Sequence, residues 1–239
     1  MHRSKMLEFL DEIEQTPDPA AISSYIPPGF SVSNIESLLQ KDGSQSAPDE
    51  LCQLVSNSKN GAILFYGAMR KHLVLPPFPL SENTTFSGYV TEPLRLLLTN
   101  DYLIGLVLVH LGSYAVGIYH GEKLISSKVG TGLVHGRHKK GGSSQQRFQR
   151  RRENQVREFL DRVCLHVREQ LEPHAQLVNY IAYGGPRQTV LLLQKRCPLL
   201  RSFEKRVLPL LDVPSPRQRT LETAISRIWS SCIIDWQEE

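Results

Sequence analysis

Leu103-Ile-Gly-Leu-Val-Leu-Val-His-Leu-Gly-Ser-Tyr-Ala-Val-Gly-Ile-Tyr-His-Gly-Glu-Lys-Leu-Ile-Ser-Ser-Lys-Val129 decides the fold. Its Val, Ile and Tyr content favours extended chain, because β-branched and aromatic side chains fit a pleated surface. Turn residues divide it into three strands, Leu103–Val109, Tyr114–Tyr119 and Lys123–Val129. Gly112-Ser113 joins the first pair and His120-Gly121-Glu122 the second, as tight hairpins require. The apolar span Tyr102–Tyr119 is broken by His110, Gly112 and Ser113, so it reads as a buried hairpin and not as a membrane helix.

Downstream, a Gly-rich basic loop leads into a predicted helix from Ser144 to Leu171. Val156, Phe159, Leu160, Val163, Val167 and Leu171 recur at three- and four-residue spacing along it and form its core stripe. A strand over Ala175–Tyr183 follows, ending at Gly184-Gly185-Pro186. A helix over Gln188–Gln194, a strand over Val207–Leu211 and a closing helix from Thr220 to Ser231 complete the reading. Pro209 confines that last strand to a sheet edge. Three strands, helix, strand, helix, strand, helix is the order of a ribonuclease H-like mixed sheet flanked by helices, a mixed α/β (α+β) class. We therefore expect one domain over residues 101–239.

Upstream the pattern is more broken. Ser4–Glu14 is amphipathic, with Met6, Leu7, Leu10 and Ile13 on one face. Ser31–Gln40 reads as a second helix, with Ser33 and Glu36 spaced as a capping box. Asp49–Val55 reads as a third, and Gly61–Gly67 as a buried strand. The Pro-rich stretch Leu73–Phe86 reads as loop and edge. A small α+β domain over residues 1–100 is expected.

The 239 residues suffice to bury a core, and 40% apolar with 22% charged residues is ordinary for a globular chain. Acids close to the N-terminus argue against a signal peptide, and a cytoplasmic location is expected. Cys52, Cys164, Cys197 and Cys232 lack a Cys-x-x-Cys pair and read as reduced, buried thiols. Charge is the informative feature. Lys128–Arg152 holds eight of the 28 Lys and Arg, two His and no acid, leaving the other 20 cations against all 24 acids. One basic segment on a mildly acidic body points to a polyanion, nucleic acid or phosphate.

That segment contains Arg137-His-Lys-Lys-Gly-Gly-Ser-Ser-Gln-Gln-Arg-Phe-Gln-Arg-Arg-Arg152. Glycines at 130, 132, 136, 141 and 142 would let the backbone approach a ligand. Ser143 and Gln146 have capping-box spacing, a purely structural role. That role leaves Arg147, Arg150, Arg151 and Arg152 unexplained, since cations in the first turns oppose the helix dipole and repel one another. Such local conflicts mark places where an external anion is held. His135 and His138, among so many cations, read as phosphate contacts. Phe148, Trp229 and Trp236 read as packing residues. No carboxylate pair and no metal-ligand spacing occurs in the segment, so neither metal nor cofactor is expected. A glutamine cannot deprotonate water, but it can orient one beside amides that stabilise an oxyanion. Such equipment suits an already activated substrate, such as an aminoacyl ester.

Gly141-Gly-Ser-Ser-Gln-Gln-Arg-Phe-Gln-Arg-Arg-Arg-Glu-Asn-Gln155 resembles the catalytic loop and following helix of bacterial Vms-like release factors. These are relatives of the central domain of eukaryotic and archaeal class-I peptide-release factors. The likeness covers Asp101–Glu239, with a fainter one at Tyr25–Ser31 and Gly61–Gly67. It implies hydrolysis of peptidyl-tRNA on the large ribosomal subunit by Gly141, Gly142, Ser144 and a catalytic glutamine. That glutamine is Gln145 in one register and Gln146 in the other, because two serines follow Gly142. It further implies that Arg137, His138, Lys139, Lys140, Arg147, Arg150, Arg151 and Arg152 contact rRNA and tRNA phosphates. No Asn-Ile-Lys-Ser codon-reading motif is present, and no domain for a GTPase partner is evident. Codon-independent rescue of stalled subunits is thus the expected function. A tRNA 3′-end endonuclease and a non-catalytic ribosome-binding module are the alternatives.

Overall fold

The computed structural model describes residues 1–16, 18–32, 49–68, 70–134 and 145–236. Most of the helix expected over Ser31–Gln40, with its Ser33–Glu36 box, lies outside the described residues. The chain forms two compact units, residues 1–100 with 227–239, and residues 101–226.

The first unit is an antiparallel sheet with helices on both faces. Its strands are β1 (Ile22–Ile26), β2 (Ala62–Tyr66), β3 (Lys71–Leu75), β4 (Thr84–Ser87) and β9 (Cys232–Asp235), in the order β4-β1-β2-β3-β9. Along β2 the side chains alternate between two cores. Ile63 and Phe65 pack with Met6, Leu10 and Ile13 of α1 (Arg3–Glu14) and with Leu94 and Leu98 of α3 (Glu92–Thr99). Ala62 and Leu64 pack with Leu51, Cys52 and Val55 of α2 (Asp49–Asn57). Burial on both faces is why this strand reads as continuously apolar.

Several expectations are corrected here. Leu73–Phe86 is more than loop and edge, since it carries the end of β3 and most of β4. Strand β1 and helix α3 had no counterpart in the sequence reading. The last residues do not close the second unit: β9 pairs antiparallel with β3, Leu73 opposite Ile234 and Val74 opposite Ile233, and counts with the first unit. Trp229 is fully buried against Phe78, as its packing role required, and Trp236 is half-buried beside Tyr66. Cys232 is exposed, so the four cysteines are not uniformly buried.

The second unit follows the expected order closely. β5 (Leu103–His110), β6 (Ser113–His120) and β7 (Lys123–Thr131) form an antiparallel meander. A 27-residue helix, α4 (Gln145–Leu171), carries the chain over to β8 (Tyr180–Gly184), which pairs parallel to β5. The sheet order is β7-β6-β5-β8. Beyond β8 the predicted fifth strand is reduced to two parallel bridges, Ile181 with Val207 and Gly184 with Leu211. Pro209, lying between them, has no N–H to donate. The chain still donates from Leu208 N to Ile181 O and from Leu211 N to Tyr183 O, at 2.8 and 2.9 Å. Three antiparallel strands followed by parallel additions on the first strand's free side make the ribonuclease H-like mixed sheet.

Phe159, Leu160, Val163, Val167 and Leu171 are all buried, and half-buried Val156 packs against the same core. With Val190 and Leu193 of α5 (Arg187–Arg196) they cover one face of the sheet. On the other face, Leu221 of α6 (Gln218–Ile228) approaches Gly117. The strand expected over Ala175–Tyr183 is shorter, because a 3₁₀ turn at Glu172–His174 and a further turn precede it.

Burial pushes the phenols of Tyr119, Tyr180 and Tyr183 up to about 12. In the unfolded chain they ionise near the ordinary value of about 10. Between those values the unfolded chain sheds protons that the fold retains, so stability is intact below about pH 10 and falls as pH rises toward 12. Tyrosinate absorbance and far-ultraviolet circular dichroism, followed together on alkaline titration, should therefore change in one cooperative step above pH 10.

Candidate nucleic-acid interface

The site is built where β7 ends and α4 begins. Thr131 closes β7, and Gly132 donates its N–H to Gly112 O at 2.9 Å, extending the hairpin by one bond. A Cβ on Gly132 would stand 2.7 Å from Cδ2 of the buried Phe159 ring. A Cβ on Gly130 would run into the Tyr114 ring. Neither glycine has positive φ. This corrects the reading of Gly130 and Gly132 as ligand-approach positions, because both are taken up by aromatic packing. The rings of Tyr114 and Phe159 lie 6.2 Å apart in an edge arrangement, and Tyr114 stacks on His166 at 5.5 Å. The strand end is thereby clamped against the middle of α4.

Gly132→Val tests the clamp. Forcing a branched side chain into a packed core costs about 1–3 kcal/mol. The thermal midpoint of unfolding should fall by several degrees. An unchanged midpoint would show that Phe159 does not hold the strand end.

Phe159 is the first buried residue of α4, fourteen positions after Gln145. At about 1.5 Å rise per residue the helix start stands about 21 Å along the axis from that anchor. Gln146, Arg147, Phe148, Gln149, Arg150 and Arg151 are all exposed, and Arg152 is half-buried. No acid lies in the first turn, and the first carboxylate, Glu153, accepts a 2.9 Å hydrogen bond from Gln149 Nε2. Among the described residues, Arg147, Arg150 and Arg151 have no ion pair. The structure thus brings Arg147, Arg150, Arg151 and Arg152 together with Gln146 in the first two turns of one helix. His135, Arg137, His138, Lys139, Lys140, Gly141, Gly142, Ser143 and Ser144 lie outside the described residues, and Gln145 opens the helix.

Two features escaped the sequence reading. Phe148 is 54% exposed, so it is no part of the core. A second cationic stretch runs from Arg187 to Arg206, but it is partly spent internally. Arg196 makes a two-pronged pair with Asp161 at 2.7 and 2.8 Å, and Arg206 donates to Val178 O at 2.7 Å. Among the described residues, Arg147, Arg150 and Arg151 of α4 make no comparable ion pair.

Chemically, exposed arginines at a helix start can hold phosphates by charge-assisted hydrogen bonds, bidentate where guanidinium is the donor. The dipole of a helix favours anions at its N-terminal end.

Comparison with known proteins gives the same direction. Peptide chain release factor subunit 1 of Archaeoglobus fulgidus is 27% identical, covering 89% of this chain and 60% of its own length. The protein of the same name from Aeropyrum pernix is 28% identical, covering 77% of this chain and 57% of its own length. This chain therefore spans only about 60% of the length of the relatives it matches. Among solved structures, the Vms1 mitochondrial localization core aligns over 72% of this chain and 76% of its own, with TM-score 0.45 and 13% identity. The family model described as Actinobacteria/chloroflexi VLRF1 release factor matches residues 102–233, which hold the whole meander, the basic helix and the parallel strand. With more than half of its length matched by that model, the chain belongs to the VLRF1 release-factor family.

Proposed function

We propose that this protein hydrolyses the ester joining a nascent peptide to its tRNA on stalled large ribosomal subunits, without reading a stop codon. The observation that carries this reading is the exposed, cation-rich start of α4, whose first two residues are the glutamines of Gly141-Gly-Ser-Ser-Gln-Gln146. Membership in a release-factor family supports the translational setting. In this reading Arg147, Arg150, Arg151 and Arg152, with Arg137, His138, Lys139 and Lys140, engage rRNA and tRNA phosphates. Those contacts supply the positioning that an uncharged catalytic group cannot supply alone. Gln145 or Gln146 then orients water against the ester carbonyl, and backbone amides near Gly141, Gly142 and Ser144 stabilise the oxyanion. In this reading the first turns of α4 carry the glutamines about 16 Å along the helix from Val156, where packing against the core begins, and so reach into RNA ahead of the sheet. A cytoplasmic location belongs to the same reading. Among the described residues, no helix is long and apolar enough to cross a membrane.

The test is release of labelled peptide from large-subunit–peptidyl-tRNA complexes carrying no small subunit or mRNA. Release by the native protein at sub-stoichiometric tRNA damage supports the reading. Tight binding without release would make the chain a binding module.

A further inference from the structure

We infer that Cys164 and Cys197 are a redox modification site, two thiols placed to close into a reversible disulfide when a peroxide oxidises the half-buried one. The inference concerns the core of the second unit and stands apart from the peptide-release reading. All four cysteines are free in the structure, and a buried thiol is ordinarily an inert, small apolar group. This pair differs in its geometry and in its electrostatic surroundings.

A disulfide forms only where two Cα atoms come within about 7 Å and the Cβ vectors converge. The Cys197 thiol donates to Cys164 O at 3.8 Å, and the Cys164 thiol is in hydrogen-bond contact with it. The same two helices are fastened beside the thiols by the two-pronged pair of Arg196 with Asp161. Cys197 is itself held at the end of α5, donating its N–H to Leu193 O at 2.9 Å and accepting from Leu200 N at 3.0 Å. Exposure then divides the roles. Cys164 is half-buried on α4, whereas Cys197 is fully buried in the core with Leu200 and Phe203. Burial, and after it the contact with the Cys164 thiol, pushes Cys197 up to about 12, so it keeps its proton at neutral pH. A peroxide therefore meets Cys164 first. Arg168, one turn further along α4, pairs with Glu172 at 3.3 Å, and its charge also acts on both sulfurs. A partly exposed thiol beside a cation is the setting in which cysteines react.

The steps balance with hydrogen peroxide as co-reactant. The Cys164 sulfur attacks one peroxide oxygen, the O–O bond breaks, and a sulfenic acid and one water result. The Cys197 sulfur then attacks the Cys164 sulfur. The S–S bond forms, the S–O bond breaks, and hydroxide leaves as a second water with the Cys197 proton. The two sulfurs together lose two electrons, which the peroxide bond takes up. A dithiol reverses the change by exchange and is itself oxidised to a disulfide.

The test treats the full chain with hydrogen peroxide, blocks remaining thiols with N-ethylmaleimide, and maps tryptic peptides by mass spectrometry without reduction. The expected product is Val163–Arg168 joined to Cys197–Arg201, two hydrogens lighter than the separate peptides and lost on adding dithiothreitol. The staple spans 33 residues of chain, so the thermal midpoint should rise by about 5–10 °C on oxidation and return on reduction. Cys164→Ser and Cys197→Ala should each abolish that rise. In Cys197→Ala the oxidation should stop at a Cys164 sulfenic acid that dimedone traps, because the second thiol is gone. Should either variant fail to fold, the peptide map of the native chain still decides. Cys164 carried to sulfinic acid without the linked peptide, Cys164 joined instead to Cys232 of a second molecule, or Cys164 left untouched while exposed Cys232 is oxidised would each overturn the inference.

Discussion

Replacing Gln145 and Gln146 together by alanine should lower the single-turnover rate of peptide release by about 10²–10³, the range seen when one positioning or oxyanion-stabilising group is lost. Subunit affinity should hardly change, because neither side chain is charged and phosphate contacts dominate binding to nucleic acid. The single variants resolve the register. Whichever glutamine faces the ester should carry nearly the whole loss, while the other changes the rate by a few-fold. Nothing in the helix makes this an indirect effect of unfolding. Gln146 is exposed, and the packed part of α4 starts at Val156, ten residues further on. Equal and partial losses in both single variants would mean that neither residue orients the water.

The arginines should behave in the opposite way. Converting Arg147, Arg150 and Arg151 to glutamine removes three cations that have no ion pair among the described residues. Each phosphate contact contributes about 0.7–0.9 to the slope of log affinity against log salt, so the triple variant should flatten that slope by about two to three. Subunit affinity near 100 mM salt should drop by about a hundredfold. At saturating protein, the release rate should fall by much less than the affinity, since Arg137, His138, Lys139, Lys140 and Arg152 remain to position the loop. Stability should move the other way, since removing cations from a helix start relieves the dipole by about a few tenths of a kcal/mol each. A variant that binds worse and melts slightly higher separates an interface from a scaffold. A thermal midpoint that fell with affinity would mean that the arginines hold the fold.

How much of this was legible in the sequence depends on how local the cause was. The β5–β7 meander was readable because short Gly turns and β-branched runs specify hairpins from neighbouring residues alone. The core stripe of α4 was readable because six apolar positions repeat at helical spacing. Strand β9 was missed because Cys232-Ile-Ile-Asp235 is short, and its partner β3 is some 160 residues away in the chain. Gly130 and Gly132 look like freedom for a ligand in a Gly-rich sequence. Only the rings of Tyr114 and Phe159 packed against them reveal their use. The basic segment could be recognised at once, since charge needs no partner to be counted. The internal use of Arg196 and Arg206 could not, because Asp161 and Val178 are brought to them only by the fold.

The two units are also unequally informative. The release-factor match over residues 102–233 embraces the second unit almost entirely and, of the return strand, only Cys232 and Ile233. The first unit contributes a sheet with helices on both faces, and its sequence carries no segment comparable to the basic stretch Lys128–Arg152.

The central claim is that water attacks the acyl carbon of the peptidyl-tRNA ester, and isotope tracing tests it most directly. Release is carried out in water enriched in oxygen-18, and both products are analysed by mass spectrometry. The account predicts one oxygen-18 in the new peptide carboxylate and a tRNA with its CCA end intact and unlabelled. A peptide still bearing a nucleotide fragment, with the label on a phosphate, would contradict it and make the chain a nuclease.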